Sequence, residues 1–326
     1  MQRRGLRIVC YHGFAIDDEA LFRPKLFVLR STFEKRLLFL ASKRFPILSF
    51  AEALEKLSAG TLPAGATVIT IDDGFYSTLR YAVPLLRRFS FPATVYVTTY
   101  YCVRNNPIFR LAIQYMFWKT LDSQLDLKGL PVPHSGIVEL VDHNIRDRIM
   151  WEIVEHGEKQ LGEAQRCELA QALSRKLHVD YEAIVRSRAL TLMNTAELRE
   201  LVTLGIDMQL HTHRHRLPEH TEIIRQELND NRAVLEPIAG RSLQHLCYPS
   251  GIWSQEIWPS LAAAGVVSAT TCDPGLNLPD TPRLALKRFL DGENISQIEF
   301  ESEISGFNDV LRTIRTFSRL LTSTRN

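Results

Sequence analysis

Short apolar runs rich in β-branched residues alternate, in the first third of the chain, with segments whose apolar positions recur about every three to four residues. Leu6–Tyr11 ("LRIVCY"), Ala66–Ile71 ("ATVITI") and Ala93–Thr99 ("ATVYVTT") have the length and composition of buried strands. Two helical patterns lie between the first two. In "STFEKRLLFLASKRF", Ser31 and Glu34 form a capping-box pair, and Phe33, Leu37, Leu40 and Ala41 keep helical spacing. In "FAEALEKLSAG", Ser49 and Glu52 form a second pair and Gly60 is a natural terminator. "YAVPLLRRF" predicts a helix with Pro84 at a kink or early turn. This strand–helix–strand repetition predicts a parallel sheet or barrel with its helices outside.

The rhythm stops near Cys102. From there to Asn194 the pattern is mostly helical, in "IFRLAIQYMFWKTL", "RDRIMWEIVEHGEKQL", "QRCELAQALSRKL" and "DYEAIVRSRAL". Residues 102–194 therefore read as a helical insertion within a single domain spanning 1–326. Strands resume at "IDMQL", "LQHLCY" and "VVSATT", with helices in "TEIIRQELNDNRAVLEPI" and "SQEIWPSLAAAG" between them. "LALKRFL" is a candidate final strand, and a last helix runs from about Ile298 to Leu321 before a loose tail.

Charge narrows the partners. The 326 residues include 39 Lys and Arg against 37 Asp and Glu, a balance that gives no reason to expect nucleic acid or an anionic lipid surface. The five cysteines are scattered without a CxxC pair, so neither a disulfide framework nor a cysteine zinc site is expected. The apolar run Ile8–Tyr11 is too short for a secretory signal, and no stretch approaches the ~18–20 apolar residues of a transmembrane helix. The expectation is a soluble cytoplasmic protein.

Two clusters carry chemistry. Asp72 and Asp73 end the strand "ATVITI" and are followed at once by Gly74, and "HTHRH" follows the strand "IDMQL". His211 and His215 are spaced to share one face of a helical turn and bind one metal, with Thr212 bonding locally and His213 pointing elsewhere. Alone, a DDG is more often a turn, and an HxxxH is often ordinary surface. Together they sit at the carboxyl ends of strands, where parallel α/β folds place active groups. Two histidines and one aspartate make a facial metal site, leaving the other aspartate free as a base.

"TIDDG" followed downstream by "HTHRH" resembles the first two motifs of the polysaccharide deacetylase family, the NodB-homology or carbohydrate esterase family 4 group. "IVCYHGF", "STFEKRLLFLASKRFPILSFAEAL", "FPATVYVTT" and "LCYPSG" resemble further family segments in order, covering about residues 6–100 and 193–300. The resemblance implies an irregular (β/α)7-type barrel. It implies a hydrolase that removes an N-acyl group, usually acetyl, from an amino sugar. The substrate would be an acylated amino sugar, a sugar nucleotide, a lipid-linked sugar or an oligosaccharide precursor. Carried over by position, Asp73, His211 and His215 would hold a divalent metal, zinc first, with cobalt or nickel as alternatives. Asp72 would be the general base acting on metal-bound water, and the backbone N–H of Tyr248 would stabilise the oxyanion.

Two departures stand out. Cys247 occupies the place of an arginine that orients the base, and "ALKRFL" lacks the family's acid histidine. His12 is the candidate proton donor, with a structural role as the alternative, and Arg288 is an electrostatic helper. Trp118, Trp151, Tyr115 and Phe117 of the insertion either stack on sugar rings or form its core. Two other readings compete: hydrolysis of a non-sugar amide or imide on the same fold, and an inactive carbohydrate-binding relative.

Overall fold

The computed structural model describes residues 5–308 and Arg312. The chain divides into two compact units, Met1–Val103 with Met193–Asn326, and Arg104–Leu192. The first unit opens with β1 (Arg7–Tyr11), β2 (Gly13–Phe14), α1 (Glu19–Phe22), β3 (Phe27–Val28), α2 (Arg30–Ser42), α3 (Phe50–Ser58), β4 (Thr67–Ile71), α4 (Val83–Phe89) and β5 (Thr94–Val97). The second unit holds α5 (Phe109–Lys119), β6 (Gln124–Asp126), β7 (Ile137–Glu139), α6 (His143–Gln160), α7 (Glu163–Lys176) and α8 (Tyr181–Ser187). The first unit resumes with α9 (Thr195–Thr203), β8 (Asp207–Leu210), α10 (Thr221–Ala239), β9 (His245–Cys247), α11 (Trp258–Ala263), β10 (Ser268–Thr270), β11 (Phe289–Leu290) and α12 (Gln297–Ser305).

Seven parallel strands form one curled sheet in the order β10-β9-β8-β5-β4-β1-β11. The expected strands are its members, and β1, β4 and β5 are buried along their whole length, as parallel strands covered on both faces must be. The segment from Leu286 to Leu290 reaches both edges of the curl. Leu286 bridges Thr270 of β10, while Phe289 and Leu290 pair with Val9 and Cys10 of β1. "LALKRFL" is thus a strand only at its end, and this split pairing brings Arg288 between the two edges.

The amino end of the curl is plugged by α3. Phe50, Ala53, Leu54 and Leu57 lie on one face and pack with Leu6, Ile8, Val68 and Leu286. The Phe50 ring meets Tyr96 at 6.1 Å and His245 at 5.0 Å between centroids. Burying each large side chain of this kind contributes ~1.5–3 kcal/mol. Ser49 caps α3 by accepting from the Glu52 N–H, and Gly60, at φ +69°, follows its last turn.

The Ser31 cap is not formed. α2 starts at Arg30 with Leu29 as its N-cap and no side-chain cap. Glu293 serves that end instead, accepting from the Leu29 N–H and the Thr32 hydroxyl, both at 2.9 Å. A distant carboxylate thereby displaces the local box. Pro84 lies in the first turn of α4, after a π-helical turn over Thr78–Ala82 that supplies the expected irregularity.

β2 and β3 pair through Gly13 and Phe27, immediately after His12. A Cβ on Gly13 would meet the Phe27 ring at 2.3 Å, and Phe27 is itself fully buried. Gly13→Ala should therefore cost about 1–3 kcal/mol by overpacking, read as a lowered urea midpoint at unchanged slope.

In the second unit the four expected helices are present, α8 ending early at Ser187 before the left-handed Arg188. A short antiparallel pair, β6 with β7, is added to the helical pattern. Phe117 and Tyr115 are core residues of this unit, which favours the structural alternative for them, whereas Trp118 and Trp151 stay 40% and 39% exposed. The last helix is observed as Gln297–Ser305, capped by Ser296 with Glu299. Gly306, left-handed at φ +82°, breaks the predicted helix after Ser305; beyond Asn308 the rest of that prediction, Arg312 excepted, and the tail lie outside the described residues.

Candidate active site at the strand ends

β4 ends in an acidic turn whose backbone is held throughout. The Asp72 N–H donates to the Tyr11 carbonyl at 2.8 Å, and the Gly74 N–H donates back to the Asp72 carbonyl at 2.8 Å. Asp73 adopts φ +68°, a left-handed conformation that aspartate tolerates better than most residues. Gly74 follows at φ +85°, with Val97 only 3.2 Å from where a Cβ would stand. This reversal separates the two carboxylates into different surroundings.

Asp72 is turned into the curl and is held by Arg288. The two guanidinium ends reach Asp72 Oδ1 and Oδ2 at 2.7 Å each. The remaining guanidinium hydrogens go to the Thr271 carbonyl, Thr70 Oγ1 and Cys247 Sγ, so this fully buried cation is satisfied. The Cys10 and Cys247 thiols also point at Asp72 Oδ2, at 3.4 and 3.3 Å. Burial pushes the Asp72 carboxyl up, but the charge and hydrogen bonds of Arg288 outweigh it and hold the group well below the usual carboxylate range.

Arg288 thus occupies the role left vacant at Cys247. It is more than an electrostatic helper: it is the group that orients Asp72. From the sequence Arg288 reads only as an electrostatic helper, because Asp72 lies 216 positions away in the chain. The available signal was an arginine inside an apolar strand run, since a buried cation requires a buried anion.

Asp73 faces the histidines. His211 Nε2 and His215 Nε2 lie 3.4 and 3.3 Å from Asp73 Oδ1. His211 is buried at the end of β8, with Nδ1 2.8 Å from the Cys247 carbonyl. That contact places a ring hydrogen on Nδ1 and turns Nε2 toward Asp73. Burial raises the Asp73 carboxyl, yet the His211 hydrogen bond and the His215 charge hold it down at about 2.

"HTHRH" is not the helical turn that its spacing predicted. The segment leaves β8 through bends, with Thr212 at φ +62° and His215 at φ +53°. Two left-handed residues, not helical periodicity, bring the rings to 4.8 Å between centroids. Thr212 does bond locally, its Oγ1 accepting from the Arg216 N–H at 3.1 Å. His213 points away, with Nδ1 2.8 Å from Thr99 Oγ1.

The donor set fits a divalent cation. One oxygen and two imidazole nitrogens, from Asp73, His211 and His215, lie within 4.8 Å of one another. Metal–ligand bonds of about 2.0–2.1 Å in a tetrahedron imply ligand atoms about 3.3 Å apart, close to the separations seen. Two other groupings, Cys10–His12–Asp72 and Asp72–His211–Cys247, use a carboxylate both of whose oxygens already accept from Arg288. Asp73, His211 and His215 are therefore the better cradle.

The structure brings His12 to the same place. Its Nε2 is 3.8 Å from Asp72 Oδ2, and the ring is partly open to solvent. The expected role of Tyr248 does not match its geometry. Its backbone N–H donates to the Thr270 carbonyl at 3.1 Å within the sheet, because β9 and β10 remain paired there. The Tyr248 hydroxyl donates to the Leu284 carbonyl at 2.8 Å, and its ring stacks on Trp253 at 6.2 Å.

A family model for polysaccharide deacetylases matches residues 173–269, a span that contains His211, His215 and Cys247. A comparison with curated protein sequences finds no match. Among solved structures, the Streptococcus pyogenes deacetylase PplD in complex with acetate aligns with a TM-score of 0.59 at 16% identity, over 92% of this chain and 98% of that one. IcaB from Ammonifex degensii aligns at 0.57 and 16% identity, over 93% and 97%. BC0361, a polysaccharide deacetylase from Bacillus cereus, aligns at 0.55 and 18% identity, over 92% and 69%. These likenesses establish a shared fold, a curled parallel (β/α) barrel. With the motifs, the family match and the fold in agreement, the resemblance of this chain to the polysaccharide deacetylase family is shown.

Proposed function

We propose that this protein is a metal-dependent hydrolase that removes an N-acyl group, acetyl first, from an amino sugar or glycan precursor. The observation that carries the proposal is the convergence of Asp73, His211 and His215 on one point, with Asp72 beside them on a separate support. A divalent cation held there, zinc by donor chemistry, would supply Lewis acidity toward the acyl carbonyl and toward water. Asp73 and the two imidazoles hold the cation and set its position.

Asp72, kept ionised by Arg288, accepts the proton of the attacking water. His12, across from Asp72 Oδ2, delivers a proton to the amine as the C–N bond breaks, so carboxylic acid and free amine leave together. The Tyr248 N–H has no part in this scheme. The support that Arg288 gives Asp72 also removes one ground for reading the chain as an inactive relative, since the missing motif arginine is replaced in kind.

The test is metal content together with acetate release from a panel of N-acetylated sugars, sugar nucleotides and oligosaccharides. Stoichiometric metal and acetate release that is lost on chelation and regained with zinc or cobalt would support the proposal. Metal without release from any sugar would shift the reading to a non-sugar amide. Protein that neither carries nor takes up metal would overturn it.

A further inference from the structure

The two imidazoles sit on a segment that cannot hold its own shape. Thr212, a β-branched residue, and His215 both lie in the left-handed region, at φ +62° and +53°. Such conformations cost on the order of 1–3 kcal/mol each and persist only where surrounding structure imposes them. The imposing structure is one face of α10. Asn231 and Glu227 are one helical turn apart, both essentially inaccessible, and both face the 211–216 segment.

Asn231 makes three hydrogen bonds there. Its Oδ1 accepts from the His211 N–H at 3.1 Å. Its Nδ2 donates to the Val97 carbonyl and to Thr99 Oγ1, both at 3.0 Å. The same Thr99 hydroxyl meets His213 Nδ1. One amide thereby ties the ends of β5 and β8 to the helix. Glu227 grips the other half of the segment. Its backbone carbonyl accepts from the His213 N–H at 3.2 Å, and its carboxylate accepts from the Arg214 N–H at 2.7 Å. The Arg214 and Arg216 side chains close on the same carboxylate at 3.1 and 3.3 Å.

We propose that Asn231 and Glu227 are positioning residues for the His211–His215 metal pair, holding the strained segment in the one shape that aims both imidazoles at Asp73. The inference rests on the metal reading above. Neither residue belongs to the two motifs, and neither touches the ligand atoms. They act by preorganisation, so their loss should appear in metal affinity and coordination geometry beyond any loss of fold stability.

The experiment titrates metal-stripped full-length protein with Co2+ and follows its visible absorption, with thermal melting of the stripped protein measured in parallel. Asn231→Ala is compared with Leu228→Ala, a neighbour on α10 that is equally buried and makes no polar contact. Asn231→Ala should weaken cobalt binding about 10–100-fold and alter the band pattern. Glu227→Gln should weaken it in the same direction and carries the comparison if Asn231→Ala does not fold. Leu228→Ala should lower the melting temperature while binding cobalt like the parent. Parental affinity and spectrum in both loop-gripping variants would overturn the proposal, as would equal weakening in Leu228→Ala. If the parent protein takes up no cobalt, the metal reading falls and this inference with it, an outcome distinct from either.

Discussion

Asp72→Asn should lower acyl release by about 10²–10⁴-fold while leaving the metal content unchanged. The substitution keeps the shape of the side chain and removes its capacity to accept a proton, together with the charge that pairs with Arg288. The proposed ligands Asp73, His211 and His215 are untouched, and Asp73 is turned away by the left-handed step at φ +68°. Steady-state kinetics on the best substrate of the panel, with metal analysis of the same preparation, checks both halves. A fully loaded Asp72→Asn protein with near-parental kcat/KM would remove Asp72 from the chemistry. Loss of metal alongside activity would instead make Asp72 a ligand.

Arg288→Met should be the most destabilising of the changes considered, by about 3–5 kcal/mol. Arg288 is fully buried, its guanidinium reaches both Asp72 oxygens at 2.7 Å, and its removal leaves a carboxylate without its counter-ion in the interior. Thermal or urea unfolding reads the loss. Asp72→Asn combined with Arg288→Met should recover part of that stability, because the stranded charge is gone, and recover no activity. Equal destabilisation in the single and double variants would mean that Arg288 contributes through packing, for example over the Tyr96 ring at 5.9 Å, and not through Asp72.

The strands, most helices and the two motifs were legible because each depends on neighbours in the chain. "ATVITI" and "ATVYVTT" carry their burial in their composition, and Ser49 with Glu52 carries its cap in its spacing. Ser31 and Glu34 have the same spacing, yet Glu293 took over that helix end, since a tertiary carboxylate can outcompete a local hydroxyl. "HTHRH" was right about the residues brought together and wrong about the turn, because HxxxH spacing does not distinguish a helix from a bend built on two left-handed residues.

What local sequence determined was the inventory: buried parallel strands, an acidic pair closed by glycine, and two histidines at a strand end. Its arrangement was decided only by the curl of the sheet. Arg288 stands 216 positions from Asp72 and comes to it because the Leu286–Leu290 segment pairs with both sheet edges. The pairing of β9 with β10 committed the Tyr248 N–H to Thr270, and the docking of α10 set Asn231 and Glu227 against the histidine segment. Propensity, alternation and capping are interactions among near neighbours, so a chain states them in its order. Charge pairing and the holding of a strained loop depend on which distant segments the barrel closure makes adjacent, and that is a property of the packed structure.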